Sequence, residues 1–412
     1  MNNSKHSLSA KDKWISIFTE LYHILRNEFK TIFKDRGVVI VFIVASLVYP
    51  MLYCGLYKNE TLVDVPIAVV NASKSEKARA YVRQIDASPD VKVTAKYFNM
   101  REAKTAFEAK EVHGIVYIPE DFDKRLNSNE QANLSIYCDM SSFLYYRALM
   151  QAANYTALHV GKEVQLERLA DKGITGESAE VVAEPISFQN NILFNGGMGF
   201  ASFLMPVILM LIIHQTLFFG IGMLAGTSRE ENRFGDLVSK SIHRGGALRV
   251  VLGKSICYFS MYVVFSFFIL YVVSRMFNLP HIGQWMDIAT MMLPFLLATI
   301  FFSMTVSVFL PNRETGMILF LFFSLILLFL SGVSWPQSNI NGFWKTLSWI
   351  FPAIHGIQAY IKINSMGADM QHISYEYINL WILTAVYFIT TIAAYKWQIN
   401  KSENHNIASY EN

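Results

Sequence analysis

The amino-acid sequence predicts a polytopic α-helical membrane protein with six spans, both termini in the cytoplasm, and an α/β domain inserted between spans 1 and 2. Three observations lead to this fold class. The 412 residues are 53% hydrophobic and only 16% charged, whereas an ordinary soluble domain carries about 25% charged residues. Six stretches lack Asp, Glu, Lys and Arg over the roughly 20 residues that a helix needs to cross a bilayer. Finally, 35 of the 67 charged residues fall within one third of the chain, residues 58–195.

The N-terminal segment, residues 1–36, is predicted to form an amphipathic helix at the membrane surface. Apolar residues recur in it at helical spacing, and Lys and Arg occupy its other faces. The apolar positions are Trp14, Phe18, Leu21, Leu25, Phe29 and Ile32. This pattern suits both a simple membrane-surface anchor and a role in force transmission, and the sequence leaves the two open.

The charge-free stretches define the six predicted spans. The first, residues 37–57, is interpreted as a retained anchor, because a long polar segment precedes it and no small-residue cleavage site follows. Spans 2 to 6 fall within residues 196–399, and residues 400–412 form a tail. The six stretches are residues 37–57, 185–228, 255–274, 288–312, 315–344 and 377–395. Since none contains Asp or Glu, a proton- or sodium-coupled mechanism has no obvious titrating carboxylate in the spans.

The positions of Lys and Arg orient the chain. Sixteen of them lie before span 1, between spans 2 and 3, between spans 4 and 5, or after the charge-free part of span 6. The opposite short loops carry only Arg275, Lys345 and Lys362. The positive-inside rule therefore places both termini in the cytoplasm. The long segment of residues 58–195 is then extracytoplasmic, because long loops translocate regardless of their charge.

The extracytoplasmic segment alternates between strand and helix patterns, which is typical of a small α/β unit. Strands are predicted over residues 65–70, 91–97, 114–118 and 133–138, and helices over residues 73–85, 101–112 and 119–126. Ser73, with Glu76 three residues later, predicts the start of the first of these helices. The Ala-, Leu- and Glu-rich residues 141–183 predict long helices that lead back to the membrane.

Two segments between the later spans carry distinct features. The cytoplasmic loop, residues 226–254, contains a charged cluster of Arg229, Glu230, Glu231, Arg233 and Asp236. Residues 336–370 are rich in aromatic side chains but too interrupted to span, so they are predicted to dip into the outer leaflet as short re-entrant helices.

His214 and Gln215 lie midway along span 2. Polar side chains are costly in hydrocarbon, so they face either a partner helix or a wet cavity. The sequence therefore leaves two roles for this pair, a place on a substrate pathway or an interhelical hydrogen bond that fixes packing.

Several other kinds of chemistry are disfavoured. Gly253-Lys254-Ser255 resembles the end of a phosphate-binding loop, but position 248 is Leu where that loop requires Gly, so these residues are interpreted as a basic anchor and a small-residue start to span 3. Gly220 and Gly222 lie within an apolar span, so they indicate close helix packing and not a dinucleotide site. The three cysteines form no metal or disulfide pattern, and a net charge of +3 does not indicate a nucleic-acid partner. No catalytic, cofactor or metal residues are predicted.

Four places in the sequence are similar to one family. Residues 65–71 with Ser75, and residues 102–119, resemble its first extracytoplasmic strands and helix. Residues 228–238, with the downstream Gly253-Lys254, are similar to its acidic coupling segment. The Leu-Ser-Gly run at residues 330–332 and two later prolines resemble the pattern around its re-entrant helices; these prolines are Pro336 and Pro352. The chain thus resembles, over nearly its whole length, a type-2 ABC exporter permease with a large extracytoplasmic domain.

This resemblance implies an inner-membrane transport subunit of a bacterium that moves a small molecule, lipid or drug-like cargo outward. An ATP-binding subunit, which carries ATP and magnesium, would dock on the amphipathic helix and on residues 228–244. The permease would pair with a second copy or a paralogue. The extracytoplasmic domain implies a membrane-fusion adaptor and an outer-membrane channel as further partners.

A rival interpretation is a non-transporting membrane receptor or scaffold, whose outer domain binds a ligand or partner while the spans only anchor it. The interrupted outer segment and the charged cytoplasmic loop argue against this reading, because a mere anchor needs neither. A membrane enzyme is the least favoured alternative, since no catalytic constellation is visible.

Single-cysteine variants test the predicted orientation. In spheroplasts with an intact inner membrane, an impermeant thiol reagent is expected to label Cys138 and to leave Ser239→Cys unlabelled, because residues 58–195 face outward and residues 226–254 face the cytoplasm. Labelling after lysis shows that both thiols are reactive. Labelling of position 239 but not of Cys138 in spheroplasts would reverse the topology.

Overall fold

A computed structural model describes residues 10–187, 191–231 and 246–411. The chain divides into two compact units, one formed by residues 1–60 with 193–412 and the other by Thr61–Ile192. The first unit is a bundle of helices, and the second is built around a four-stranded sheet.

Within the described residues, six helices are long and apolar enough to cross a membrane. They are span 1 (Arg36–Leu56), span 2 (Phe200–Glu230), span 3 (Gly246–Met276), span 4 (Trp285–Ser307), span 5 (Arg313–Leu330) and span 6 (Ser374–Lys401). The prediction of a polytopic helical membrane protein with six spans is confirmed in length and composition. Spans 1 and 3 each contain one wide π-helical stretch, Ile40–Ala45 and Phe268–Val273.

Spans 2 and 4 lie at the centre of the bundle, where most of their side chains are buried. Small residues let neighbouring helices come close, which is how helices pack where lipid supplies no hydrophobic drive. A Cβ atom at Gly220 would overlap the ring of Phe42 in span 1, and one at Gly226 would lie 2.8 Å from the Cα of Arg313 at the start of span 5. The close-packing interpretation of the glycines in span 2 is therefore confirmed.

Hydroxyl groups join spans 4 and 6 inside the bundle. The Thr305 Oγ1 lies 2.8 Å from the Thr391 Oγ1, which also donates to the Phe301 carbonyl. The Thr384 Oγ1 donates to the carbonyl of Pro294 at 3.2 Å. These bonds satisfy side chains that have no water partner in hydrocarbon, and they fix the two helices side by side.

The segment of residues 336–370 contains a short turn of 3-10 helix, Gln337–Asn339, then helices α7 (Gly342–Ser348) and α8 (Pro352–Met366). Helix α8 is mostly buried among spans 2, 4 and 6. It begins at a proline and ends at Gly367, whose φ of +68° is left-handed. The helical character agrees with the sequence pattern, and the depth of the segment in the membrane remains a prediction.

The observed helices correct the statement that the spans contain no acidic residue: Glu230, Asp287 and Glu314 lie at the ends of spans 2, 4 and 5, and span 6 contains a buried one. The helix of span 6 begins at Ser374 and not at Tyr377, so Glu376 lies in its first turn with only 2% of its surface exposed. The carboxylate accepts a hydrogen bond from the Lys362 Nζ of α8 at 2.6 Å. The helix starts earlier because this pairing makes the buried charge tolerable.

Two predicted boundaries of the bundle also change. The loop predicted over residues 226–254 is shorter, because span 2 continues to Glu230 and span 3 already begins at Gly246. The predicted tail, residues 400–412, continues the helix of span 6 as far as Glu411. In each place the helix runs through charged residues such as Arg229, Arg249 and Lys401, because a charged side chain does not by itself end a helix.

The second unit contains strands β1 (Val65–Asn71), β2 (Val91–Tyr97), β3 (Gly114–Ile118) and β4 (Ser135–Cys138), close to the predicted positions. The sheet order is β2-β1-β3-β4; β1 is parallel to β2 and β3, and β4 is antiparallel to β3. Helices α2 (Glu76–Asp86) and α5 (Phe143–Asp171) pack on one face, and α3 (Met100–Glu108) packs on the other. Two short helices, α4 (Phe122–Asn127) and α6 (Glu177–Ala183), complete the unit.

The predicted start of α2 at Ser73 is wrong by two residues. Ser75 is the N-cap, and its side chain accepts a hydrogen bond from the amide of Ala78 at 3.2 Å. A turn precedes it, in which the Lys74 amide donates to the Asn71 side chain at 3.0 Å. Ser73 and Lys74, which the sequence pattern assigned to the helix, belong to this turn.

Replacing Gly226 by Ala tests the close approach of spans 2 and 5. Alanine is favoured over glycine in a helix by about 0.8–1.0 kcal/mol, but at this position its Cβ would meet the Arg313 backbone, which cannot rotate away. Gly226→Ala is therefore expected to lower the apparent melting temperature of the purified chain in detergent. Gly55→Ala, whose Cβ would make only an ordinary contact at 3.8 Å, is the control and should not lower it. Equal melting temperatures for both variants would contradict the packing argument.

Candidate functional site

The candidate site is a polar network at the end of the bundle that holds helix α1 (Ala10–Lys34) and the ends of spans 2 and 3, the end predicted to be cytoplasmic. Asp35 lies between α1 and span 1, and its side chain accepts from the amides of Gly37 and Val38 as the N-cap of the span. The same carboxylate receives both terminal nitrogens of Arg313, at 2.9 and 2.8 Å. One side chain thus joins α1, span 1 and span 5 through a bidentate pair.

The environment of Asp35 favours its ionised form. Partial burial by itself raises the pKa of this carboxyl, but the hydrogen bonds and the charge of Arg313 act in the opposite direction, together with the two backbone amides. The net result is a pKa below the ordinary value. The charged pair is therefore complete at neutral pH, and its contribution to stability is lost only as the pH falls through this lowered pKa.

Two of the predicted coupling residues belong to this network. The guanidinium of Arg229 donates to the carbonyls of Val308 and Leu310 at the end of span 4, at 2.6 and 3.1 Å. It also donates to the side chain of Gln398 in span 6 at 3.0 Å. Glu230 accepts the backbone amide of Arg313 at 2.9 Å. The end of span 2 is therefore connected to spans 4, 5 and 6.

A buried ion pair connects α1 to span 3. The Lys254 Nζ lies 2.8 Å from Glu28 Oε2, and the two side chains are only 8% and 6% exposed. The Tyr258 hydroxyl donates to the same carboxylate. One turn earlier on α1, the Ile24 side chain packs so closely on Gly253 that a Cβ there would overlap it. The Gly-Lys pair noted in the sequence thus forms a contact surface for α1: the small residue admits Ile24, and the basic residue is buried in a pair with Glu28.

The residues of the predicted apolar face of α1 differ in burial along the helix. Ile32 is fully buried, and Leu25 and Phe29 pack partly on the core of the bundle. Leu21 is half-buried, whereas Phe18 is 66% exposed. The side chain of Trp14 lies outside the described part of the structure. The second half of α1 is therefore attached to the bundle, and the exposed ring of Phe18 is available to the predicted membrane surface.

The remaining coupling residues fall at or beyond the edge of the described chain. Glu231 lines a cleft of about 580 Å³, together with basic side chains from the end of α1 and the start of span 1. These side chains are Lys30, Lys34 and Arg36. Arg233 and Asp236 lie outside the described residues. The cleft offers an exposed, mixed-charge surface beside the network.

His214 and Gln215 differ in their surroundings. The Oε1 of Gln215 accepts a hydrogen bond from the Ser324 hydroxyl of span 5 at 2.8 Å. His214 is 2% exposed, packs between the rings of Phe218 and Phe302, and has no hydrogen-bond partner among the described residues. Interhelical hydrogen bonding therefore fits Gln215, and the role of His214 stays open.

Sequence reasoning missed three residues of the network, Glu28, Asp35 and Arg313. Glu28 had a signal, because it is an acidic residue within the apolar face formed by Leu25, Phe29 and Ile32. Asp35 had another, since Asp directly before an apolar helix is a common N-cap. Arg313 was counted only as a topological charge, and nothing local in the sequence reveals its partner.

Six spans, a central helix packed through glycines, and a polar network at one end define a polytopic helical membrane protein without a recognisable catalytic centre among its described residues. Residues 36–393 match the model of the ABC-2 family transporter proteins. The chain therefore belongs to the ABC-2 transporter family, as its resemblance to type-2 ABC permeases indicated, and its family places it as the membrane subunit of an ABC system. No curated protein gives a significant sequence match to the chain.

A pair of variants tests the buried Glu28–Lys254 ion pair between α1 and span 3. Lys254→Met leaves the Glu28 carboxylate buried without its counterion, and such a loss costs about 3–5 kcal/mol. The apparent melting temperature in detergent should therefore fall sharply. Adding Glu28→Met removes the stranded charge and should recover most of the loss. Lys345→Met, at an exposed lysine, is the control and should have little effect. A double variant no more stable than Lys254→Met would show that the pair is not energetically coupled.

Proposed function

We propose that this chain is the permease subunit of an ATP-driven exporter, which moves a small molecule, lipid or drug-like cargo outward across a bacterial inner membrane. Family membership supports the transport role. The outward direction is supported by the resemblance to type-2 ABC exporters described above. ATP and magnesium bind to a separate subunit, because the chain lacks the glycine of a phosphate-binding loop.

The observation that carries the proposal is the polar network. Helix α1 is attached to span 3 through Glu28 and Lys254, and to spans 1 and 5 through Asp35 and Arg313. The end of span 2 is attached to spans 4, 5 and 6 through Arg229 and Glu230. A displacement applied to α1 or to the loop after span 2 therefore reaches every span through ion pairs and hydrogen bonds, as the coupling of ATP hydrolysis to transport requires.

The ATP-binding subunit is proposed to dock at the cleft beside this network. The cleft combines the carboxylate of Glu231 with the unpaired cations of Lys30, Lys34 and Arg36, for which the described residues provide no counterion. Complementary charges at a protein interface mainly set specificity and association rate. Both termini then lie on the cytoplasmic side, as the distribution of Lys and Arg predicts.

The other proposed partners lie within and beyond the membrane. Spans 1 and 5 leave large apolar side chains exposed, among them Val48, Met317 and Phe322. Lipid covers such surfaces, and so does a second copy or a paralogous permease. The unit of residues 61–192 is proposed to be extracytoplasmic and to meet a membrane-fusion adaptor, which in turn leads to an outer-membrane channel.

The main alternative is a receptor or scaffold that transports nothing. It accounts for a ligand-binding outer domain and for six anchoring helices. It does not account for a network that ties the cytoplasmic helix to all six spans, because an anchor has no motion to transmit. Export is therefore the function that the arrangement supports best.

Charge reversal at the end of span 2 tests the proposal. The tagged chain is purified from its native membranes, and ATP hydrolysis by the copurifying subunit is measured. Glu230→Lys combined with Glu231→Lys should reduce that hydrolysis more than tenfold, because reversed charges at a partly desolvated contact cost several kcal/mol. The matched control is Glu177→Lys with Glu180→Lys, two exposed carboxylates of α6, which should leave hydrolysis unchanged.

The outcomes separate the candidate functions. Undiminished hydrolysis and transport in the Glu230 and Glu231 variant would remove this surface from the docking site and leave α1 as the main candidate. The absence of any ATPase with the unmodified chain would favour the receptor or scaffold. The melting temperature of each variant shows whether the loss of the Glu230 contact to the Arg313 amide has loosened the bundle.

A further inference from the structure

The α/β unit of residues 61–192 contains a cavity of about 600 Å³ that the proposed transport mechanism does not use. Its walls come from the end of β1, the turn that follows, helix α2 and the end of β2. It therefore opens at the carboxyl ends of two adjacent parallel strands. In open α/β sheets, ligands bind at this edge. The volume falls within the range of about 300–1,000 Å³ that is usual for small-molecule sites.

The walls of this cavity carry charge of one sign only. Four basic side chains line it, Lys74, Arg79, Arg83 and Lys96, and no Asp or Glu does so. The surrounding segment is not basic, since residues 58–195 contain 16 Lys and Arg against 19 Asp and Glu. Within the described residues no carboxylate forms an ion pair with any of the four. Like charges on one wall repel one another, and a bound anion lowers that repulsion.

A β-bulge in β2 brings Lys96 into the cavity. Ile67 of β1 pairs with Val93 and the next residue pairs with Ala95, so Thr94 is extra. Val93 consequently packs on the α2 side of the sheet, whereas Ala95 packs on the α3 side. The bulge thus exchanges the two faces of the strand, and Lys96 lies on the α2 side while Lys92 lies on the other. Bulges of this kind re-aim side chains next to functional sites.

The turn after β1 places a second cation at the cavity. Lys74 has a φ of +53°, a left-handed conformation that is unfavourable for a non-glycine residue. Two hydrogen bonds hold it in place. The Lys74 amide donates to the Asn71 side chain, and the guanidinium of Arg79 donates to the Lys74 carbonyl at 2.5 Å. Backbone strain of this kind collects at ligand-binding positions.

An apolar portion completes the cavity. Val69 and Val82 form part of its floor, and Phe98 stands at its rim with 87% of its surface exposed. A phenylalanine this exposed on a water-soluble unit gains nothing from folding. It offers a free ring face for a planar group, and Tyr97 beside it lines the same space.

We propose that this cavity binds a small organic anion. An acidic group of the ligand, such as a carboxylate, sulfonate or phosphate, pairs with Lys96, Arg83 and Lys74, and its planar or apolar part packs against Phe98. The site requires nothing of the cytoplasmic network, so it stands independently of the proposed transport function.

The trisulfonated dye pyranine is a suitable probe, because it combines a planar ring system with several negative charges that keep it out of the bilayer. The full chain in phosphatidylcholine nanodiscs is titrated into the dye, and binding is followed by fluorescence anisotropy. Saturable binding is expected. Lys96→Glu and Arg83→Glu should each raise the Kd about tenfold or more, the effect of losing a charged hydrogen bond.

Two sets of variants give the test its specificity. Lys92→Glu makes the same charge change on the same strand but on the opposite face, and it should alter the Kd less than twofold. Phe98→Ala should weaken binding about threefold to tenfold through lost stacking, and Phe98→Tyr should retain it. The altered side chains are exposed, so the variants should elute like the unmodified chain in size-exclusion chromatography.

Two results would overturn the proposal. The first is the absence of saturable dye binding to the unmodified chain. The second is an equal loss for Lys92→Glu and Lys96→Glu, which would mean that the dye responds to overall charge and not to the cavity. Neither result bears on ATP hydrolysis by the copurifying subunit, so failure here is distinguishable from failure of the transport proposal.

Discussion

The helix bundle depends on the pairing of charges between helices that are distant in sequence. Glu28 pairs with Lys254 and Asp35 pairs with Arg313, and each pair joins a residue before span 1 to the start of a later span. The first pair is buried, so neither of its charges is tolerable alone, and the second is half-buried and bidentate; each pair holds its two helices together. The small residues of span 2 and the threonines between spans 4 and 6 then set how closely the helices lie. Charge pairing fixes which helix ends meet, and van der Waals packing fixes how closely.

The sequence was sufficient for the parts of the fold that follow from local composition. Six apolar stretches marked the spans, because a charged residue inside hydrocarbon is costly without a partner. Alternating patterns located the four strands of the inserted unit to within one or two residues. The errors lie at charged residues that are buried, because a partner from a distant part of the chain compensates their charge. Lys254 was interpreted as a basic anchor, because its partner Glu28 is 226 residues away in the sequence. Glu376 was left outside span 6, because its partner Lys362 lies on another helix.

The candidate site was only partly predictable for the same reason. The charges at the end of span 2 were recognised as a cluster, but Arg229 and Glu230 proved to bind the ends of spans 4, 5 and 6. A charge density in a sequence indicates where polar chemistry lies, not whether it faces a partner protein or the chain itself. The cavity of the inserted unit was invisible at this level, since only the bulge at Thr94 brings Lys96 to the face of α2.

The π-helical stretches of spans 1 and 3 give the bundle a built-in change of register. A π turn holds more residues than an α turn, and such turns are frequent at functional positions. Tightening one by a single residue would rotate the remainder of its helix by about 100° and shift it by about 1.5 Å. The two stretches belong to adjoining helices, and the Phe42 ring of the first contacts Tyr262 of span 3 at a centroid distance of 5.6 Å. The geometry of each π turn therefore sets how the far half of its span is oriented relative to the network end.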